Sequence, residues 1–179
     1  AILGLEDDDV TAACAEAANG DVVAAVNFNA PGQVVIAGAA GAVERAIEAC
    51  KARGARKAMP LPVSVPSHCA LMKGAAEELA TALDEVTFND AVIPVIQNVT
   101  ASVAQDSESL KANLVKQLYS PVLWTDTVRK LVANDVRIAV ECGAGKVLAG
   151  LAKRIDRELS VYGIDEPDAL AKASEAFGQ

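Results

Sequence analysis

The stretch Val22-Val-Ala-Ala-Val-Asn-Phe-Asn-Ala-Pro-Gly-Gln-Val-Val-Ile-Ala-Gly38 holds two β-rich arms around a turn. Val22 to Phe28 and Gln33 to Ala37 alternate well enough to pair, and Asn29-Ala-Pro-Gly32 has the turn chemistry of a hairpin. On its N-terminal side, Val10, Ala13, Cys14 and Ala17 recur at helical spacing. Asp7, Asp8 and Asp9 place negative charge on that helix's first turn, where the macrodipole favours it, and Asn19-Gly20 terminates it. Ala1 to Leu5 before it reads as a short strand. On the C-terminal side, Val43, Ala46, Ile47 and Cys50 mark a second helix with Gly54 past its end. Lys57 to Val63 then returns to extended character, punctuated by Pro60 and Pro62. The order βαββαβ is the split-βαβ, or ferredoxin-like, arrangement, with both helices on one face of a four-stranded antiparallel sheet.

From His68 the pattern changes. Leu71, Ala75, Leu79, Leu83 and Val86 form the expected inner stripe of a long helix. Val92 to Gln97 is a β-rich run interrupted by Pro94, which suits an edge strand. Helices are expected at Ser107 to Leu118 and at Pro121 to Ala133, the latter with proline at its first position. Val136 to Glu141 reads as a strand, Lys146 to Leu159 as a helix, Val161 to Ile164 as a strand and Asp168 to Ala176 as a helix. Strands alternating with helices point to a parallel α/β layer that lacks some partner strands. The expected domains are residues 1–62 and 63–179.

Apolar residues make up 52% of the 179 and aromatics only 3%, so the core is expected to be aliphatic. A net charge of −8 argues against a nucleic-acid partner. Cys14, Cys50, Cys69 and Cys142 form no C-x-x-C pair, and with a single histidine no zinc site is expected. That cysteine usage suits a reducing cytoplasm. No apolar run approaches a membrane span, and no signal peptide opens the chain. A chain that starts inside a strand is expected to be part of something longer.

His68 is the strongest candidate for chemistry. It follows the proline-stiffened Pro62-Val-Ser-Val-Pro-Ser67 and begins a helix, so its backbone is held while its ring projects. A histidine there serves either as a general base or as a surface or capping residue, and the residues alone leave both open. No nucleophile accompanies it. None of the serines lies in a G-x-S-x-G elbow, and Ser67 and Cys69 adjoin the ring too closely in sequence to face it. Gly143-Ala-Gly145-Lys146 resembles a phosphate loop, but Val140 and Val147 occupy the places that a P-loop gives to glycine and to serine or threonine. It reads as a tight strand-to-helix turn, with weak anion binding as the lesser alternative. Asn27, Asn29 and Gln33 gather amides around the hairpin turn, either to satisfy turn backbone or to line a cleft. Arg53, Arg56 and Lys57 form a local basic patch, either a solvated helix end by default or a place where phosphate or an acidic partner docks.

Four segments in order carry a family resemblance: Val26 to Gly38, Leu61 to Met72, Gln117-Leu-Tyr-Ser-Pro-Val-Leu-Trp124 and Glu141-Cys-Gly-Ala-Gly-Lys-Val-Leu148. Together they resemble the bacterial malonyl-CoA:acyl carrier protein transacylases of type II fatty-acid synthesis. The resemblance implies an α/β fold: a ferredoxin-like subdomain plus the C-terminal part of an α/β-hydrolase-like acyltransferase domain. It implies malonyl transfer from coenzyme A to the phosphopantetheine thiol of acyl carrier protein through an acyl-serine, with no further cofactor. His68 matches the family's base, and Gln117 the residue whose backbone carbonyl accepts the imidazole's other N–H. Asn27, Asn29 and Gln33 match the amide side of the coenzyme cleft. Arg56 and Lys57 match a basic pair for coenzyme phosphate or the acidic carrier protein.

The family's serine elbow, its malonyl-binding arginine and its N-terminal glutamine motif have no counterpart among these residues, and Ala144 stands where the family has proline. The implied partners are malonyl-CoA, acyl carrier protein and the N-terminal part of the same enzyme. The isolated chain is expected to be inactive. A different reading takes residues 1–62 as a free-standing ferredoxin-like ligand-binding or regulatory module. An acyltransferase segment of a multimodular polyketide synthase is a third.

Overall fold

The computed structural model describes residues 1–178; Gln179, the last residue of the second expected domain, lies outside the described residues. The fold is α/β and divides into two compact units, Ala1–Trp124 and Thr125–Gln179.

The first unit opens with six elements: β1 (Ile2–Leu3), α1 (Asp7–Ala18), β2 (Val23–Ala30), β3 (Gln33–Gly38), α2 (Ala40–Ala52) and β4 (Lys57–Ala58). The strands form one sheet in the order β4-β1-β3-β2, every pairing antiparallel. Helices α1 and α2 pack on each other, and their small residues Ala13, Ala17, Ala42 and Ala46 are all buried. Close approach of the two helices requires side chains of that size. Val10 and Val34 are fully buried in the same cluster as Ile2, Ile36 and Ile47. Each such side chain stabilises the fold by about 1.5–3 kcal/mol. Helix α1 stops at Asn19, which takes the left-handed conformation (φ 46°) expected of a terminator. Two carbonyls left over at that end are satisfied by Arg45, whose guanidinium donates to Ala17 O at 2.8 Å and Ala18 O at 3.0 Å. Gly38 closes the β2–β3 pair, and a methyl group there would overlap the Val22 carbonyl.

Strand β2 is not regular. Its pairing with β3 shifts between Ala25 and Asn27 and again between Phe28 and Ala30. The first bulge leaves Ala25 and Val26 both buried, breaking the in–out alternation. β2 is also the edge strand of the sheet, and its outer side meets a second partner. Val122 N–H donates to Val26 O at 2.9 Å, and Phe28 N–H donates to Val122 O at 3.0 Å.

That pairing corrects one expectation. The helix expected from Pro121 begins at Trp124 (α5, Trp124–Ala133), because Val122 is committed to β2 as extended backbone. The long helix after His68 is preceded by a single 3₁₀ turn at Ala70–Met72 and runs as α3 (Lys73–Asp84). Its expected stripe is displaced: Leu71, Ala75 and Val86 are exposed, whereas Ala76 is buried and Leu79 and Leu83 partly so. The extended segments are also shorter than expected. β4 ends at Ala58, and Val92 to Gln97 contributes only β5 (Ile96–Gln97), paired antiparallel with β6 (Ser102–Val103). Prolines 60, 62 and 94 lack the N–H that continued pairing would use. α4 (Ser107–Lys116) completes this unit, its N-terminus capped by the Asp106 side chain.

In the second unit, α5 is followed by β7 (Ile138–Glu141), α6 (Val147–Ile155), β8 (Ser160–Gly163) and α7 (Pro167–Ala176). β7 and β8 pair in parallel from Ile138 with Ser160 to Glu141 with Gly163, so a parallel βαβ unit is present. Among the described residues no helix is long and apolar enough to cross a membrane.

Candidate active site

His68 sits at φ 66°, a left-handed conformation that a non-glycine residue adopts only when its surroundings hold it there. The hold comes from the end of α4. His68 N–H donates to Leu118 O at 2.9 Å, and the imidazole Nδ1 lies 2.8 Å from Gln117 O. A carbonyl oxygen only accepts, so this second bond requires the proton on Nδ1. In the neutral ring Nε2 then carries the lone pair. Gln117 is the C-cap of α4 and Leu118 the residue after it, and His68 satisfies both carbonyls with one residue. The ring is half-buried, while Cys69 beside it is buried and donates its thiol to Pro66 O at 3.2 Å.

The structure brings His68 and Gln117 together across 49 positions of sequence. It also brings the amide-rich strand to the same region. Asn27 forms a parallel bridge with Val122, five residues past Gln117. Asn27 also lines a cleft of ≈ 540 Å³ whose other walls include Val35, Val63, Ser64 and Ser67. Cross-strand neighbours share a face, so the register places the remaining candidates. Gln33 pairs with Leu3, and Leu3 with Lys57; Asn27 pairs with Val35. The adjacent row Val34–Ile2–Ala58 faces the helices. Asn27, Gln33 and Lys57 therefore lie on the sheet's open face, opposite α1 and α2.

Asn29 falls in the second β2 bulge, at the hairpin end. Arg56 is exposed just before β4, on the edge of the sheet opposite β2. With strands about 4.8 Å apart, β4 and β2 are separated by roughly 14 Å. The basic pair is thus not part of the His68–Gln117 pair, and of the two only Lys57 is on the open face. Arg53, the third member of the basic patch, is bound to Glu16, and that guanidinium holds the Glu16 carboxyl below its usual range.

The turn Gly143-Ala-Gly145 does not offer an open anion site. Both glycines have positive φ, and the chain folds back so that the buried Glu141 carboxylate reaches the start of α6. Its two oxygens accept from Leu148 N–H at 3.0 Å and Ala149 N–H at 2.9 Å. The helix amides that would meet an anion already have one. Burial pushes the Cys14 thiol up to about 12 and raises Cys50 as well, so neither is poised as a nucleophile. Among the described residues no cluster of three or more His, Cys, Asp or Glu side chains is arranged to hold a metal.

Sequence reasoning missed the backbone acceptor at Leu118 and the pairing of Val122 with β2. It also passed over Gln97, a buried amide within Val95-Ile-Gln-Asn-Val99, where a polar residue amid apolar neighbours was the available signal.

Residues 1–160 match the family described as the acyl transferase domain. The malonyl CoA-acyl carrier protein transacylase of Escherichia coli strain K12 is 53% identical over 175 residues, covering 98% of this chain and 57% of that protein. The protein of the same description from Bacillus subtilis strain 168 is 42% identical, with 99% and 56% covered. Among solved structures, a malonyl-transacylase in complex with its type II PKS acyl-carrier protein superposes with a TM-score of 0.95 at 48% identity, covering 98% of this chain and 57% of that one. An acyl carrier protein S-malonyltransferase from Vibrio cholerae gives 0.94 at 53% identity, with 96% and 56% covered. The chain thus spans little more than half the length of the curated relatives it matches.

Proposed function

The chain belongs to the acyl transferase domain family, and on that premise we propose that it supplies the base and the coenzyme-facing sheet of a malonyl-CoA:acyl carrier protein transacylase. The observation that carries this reading is the bond from His68 Nδ1 to Gln117 O, which leaves Nε2 as the proton acceptor. In the proposed reaction, Nε2 takes the proton of a serine hydroxyl as that oxygen attacks the malonyl thioester. The carbon–sulfur bond breaks, and the imidazolium returns its proton to the departing coenzyme A sulfur. The carrier protein's phosphopantetheine thiol then gives its proton to Nε2 and attacks the acyl-serine, and the imidazolium protonates the serine oxygen as it leaves. The serine comes from residues outside these 179, as do the groups that bind the malonyl carboxylate and the oxyanion.

Asn27, Gln33 and Lys57 on the open sheet face, with Asn29 and Arg56 at its margins, serve as the contacts for the coenzyme or the carrier protein. The antiparallel order β4-β1-β3-β2 under two helices supports reading residues 1–62 as a ferredoxin-like subdomain. Residues 63–179 are then the C-terminal part of the large acyltransferase domain. The reaction needs no cofactor beyond its thioester substrate, and its place is the cytoplasm.

The test is a chimera in which this chain replaces the matching segment of the Escherichia coli relative. Transfer of radiolabelled malonyl from coenzyme A to holo acyl carrier protein is expected in the chimera, with no acyl adduct on the isolated chain. A stable adduct on the isolated chain, or undiminished turnover by the chimera carrying His68→Ala, would overturn the reading.

A further inference from the structure

The carbonyl that orients His68 sits at the end of a ten-residue helix, so its position is only as well defined as that helix's last turn. Helix ends fray unless something outside the helix holds them. Here the holder is a buried amide on another element. Gln97, at the end of β5, is 9% exposed. Its Oε1 accepts from Asn113 Nδ2 at 2.6 Å, and its Nε2 donates to Leu110 O at 3.3 Å. Asn113 O in turn accepts from Gln117 N–H at 2.9 Å. One side chain thereby grips α4 at two points a turn apart, and the second point bonds directly to the residue that carries the acceptor for His68.

The next residue grips the other side of the same loop. Asn98 O accepts from Leu123 N–H at 2.9 Å. Two adjacent residues thus anchor the chain on either side of this segment: Gln97 holds Leu110 and Asn113 of α4 before it, and Asn98 holds Leu123 at its end, with Val122 also paired to β2.

We propose that Gln97 is a positioning residue for His68, acting through Asn113 and the last turn of α4 to fix the Gln117 carbonyl and hence the imidazole tautomer. The inference rests on the reading of His68 as the base for its catalytic consequence, but not for its structural one. Gln97 touches neither the imidazole nor the space beyond Nε2. Its amide can be buried in an apolar run because both of its ends are bonded.

His68 is the only histidine in the chain, so its ring nitrogens give a single pair of signals in the protein labelled with ¹⁵N-histidine. In the unaltered chain at a pH where the ring is neutral, the Nδ1–H form is expected to dominate. Asn113→Ala keeps a good helix former in α4, and Gln97→Met keeps the length of the side chain without its amide. Each is expected to shift the ring toward a mixture of both tautomers while the amide spectrum of the βαββαβ core stays in place. Ile47→Val, a core change remote from α4, is the control and should leave the tautomer as it was. In the chimera, Gln97→Met should lower kcat about tenfold or more, with KM for the thioester unchanged.

An unaltered Nδ1–H form in both folded variants, or an equal shift in Ile47→Val, would overturn the proposal. Should Gln97→Met not fold, Asn113→Ala decides it alone. A tautomer that responds while kcat does not would support the positioning role and count instead against His68 as the base.

Discussion

The imidazole of His68 and the backbone carbonyl of Gln117 are joined at 2.8 Å, although 49 positions separate them in the chain. Only the main chain of Gln117 takes part. Its side chain is therefore expendable for this purpose: Gln117→Ala should leave the Nδ1–H tautomer intact and chimera turnover within about threefold. His68→Gln should lower turnover by about 10²–10⁴-fold, the range general base catalysis contributes. Steady-state kinetics of the two variants side by side checks the contrast.

The left-handed backbone at His68 makes a separate prediction about stability. Alanine at 68 would retain a conformation that costs an L-residue about 1–2 kcal/mol, whereas glycine adopts it freely. His68→Gly should therefore be no less stable than His68→Ala, the reverse of the usual order for these two residues. Urea unfolding followed by the fluorescence of the single tryptophan, Trp124, measures the difference; a clearly more stable alanine variant would contradict it.

At the other end of α4, Asp106 Oδ1 accepts from Ser109 N–H at 2.7 Å, and that bonding lowers the Asp106 pKa. A carboxyl whose folded pKa is depressed contributes stability that is present above its unfolded value and is lost as pH falls through the folded one. Exchange protection at Ser109 and Leu110, taken relative to the intrinsic rate at each pH, should therefore fall on acidification below the ordinary aspartate range. Asp106→Asn, which caps without titrating, should remove that pH dependence.

In the second unit, the Glu141 carboxylate closes the N-terminus of α6. Glu141→Ala leaves two helix amides without their acceptor and should cost about 1–3 kcal/mol. Loss of exchange protection at Leu148 and Ala149, ahead of the β7–β8 amides, is the expected signature. Inorganic phosphate should give no stabilisation of the unaltered chain, because the site is already filled from within.

Local chemistry was readable wherever one element supplied both the signal and its consequence. The apolar spacing of α1 and α2, the Asn19 stop and the hairpin turn, which falls on Pro31-Gly32 rather than beginning at Asn29, each act within a few residues. The βαββαβ order was legible before any contact was known. The same holds for His68, whose proline-stiffened approach marked it as a side chain held at an element end. Its pairing with Gln117 came from resemblance to a family rather than from the physics of either residue.

Tertiary structure alone decided the rest, because those outcomes depend on pairs distant in the chain. Val122 is extended rather than helical because the bulged edge of β2 offers it two hydrogen bonds, a stronger demand than a proline one residue earlier. The sheltered side of α3, which packs with α4, holds Ala76, Leu79 and Leu83, a helical spacing that takes Ala76 in place of Ala75. Gln97 gained its place from Asn113 and Leu110, which no local pattern joins to it. The sequence by itself determined a single histidine held at an element end, with base and surface roles both open. Which ring nitrogen carries the proton was decided by a carbonyl that only folding brings within reach.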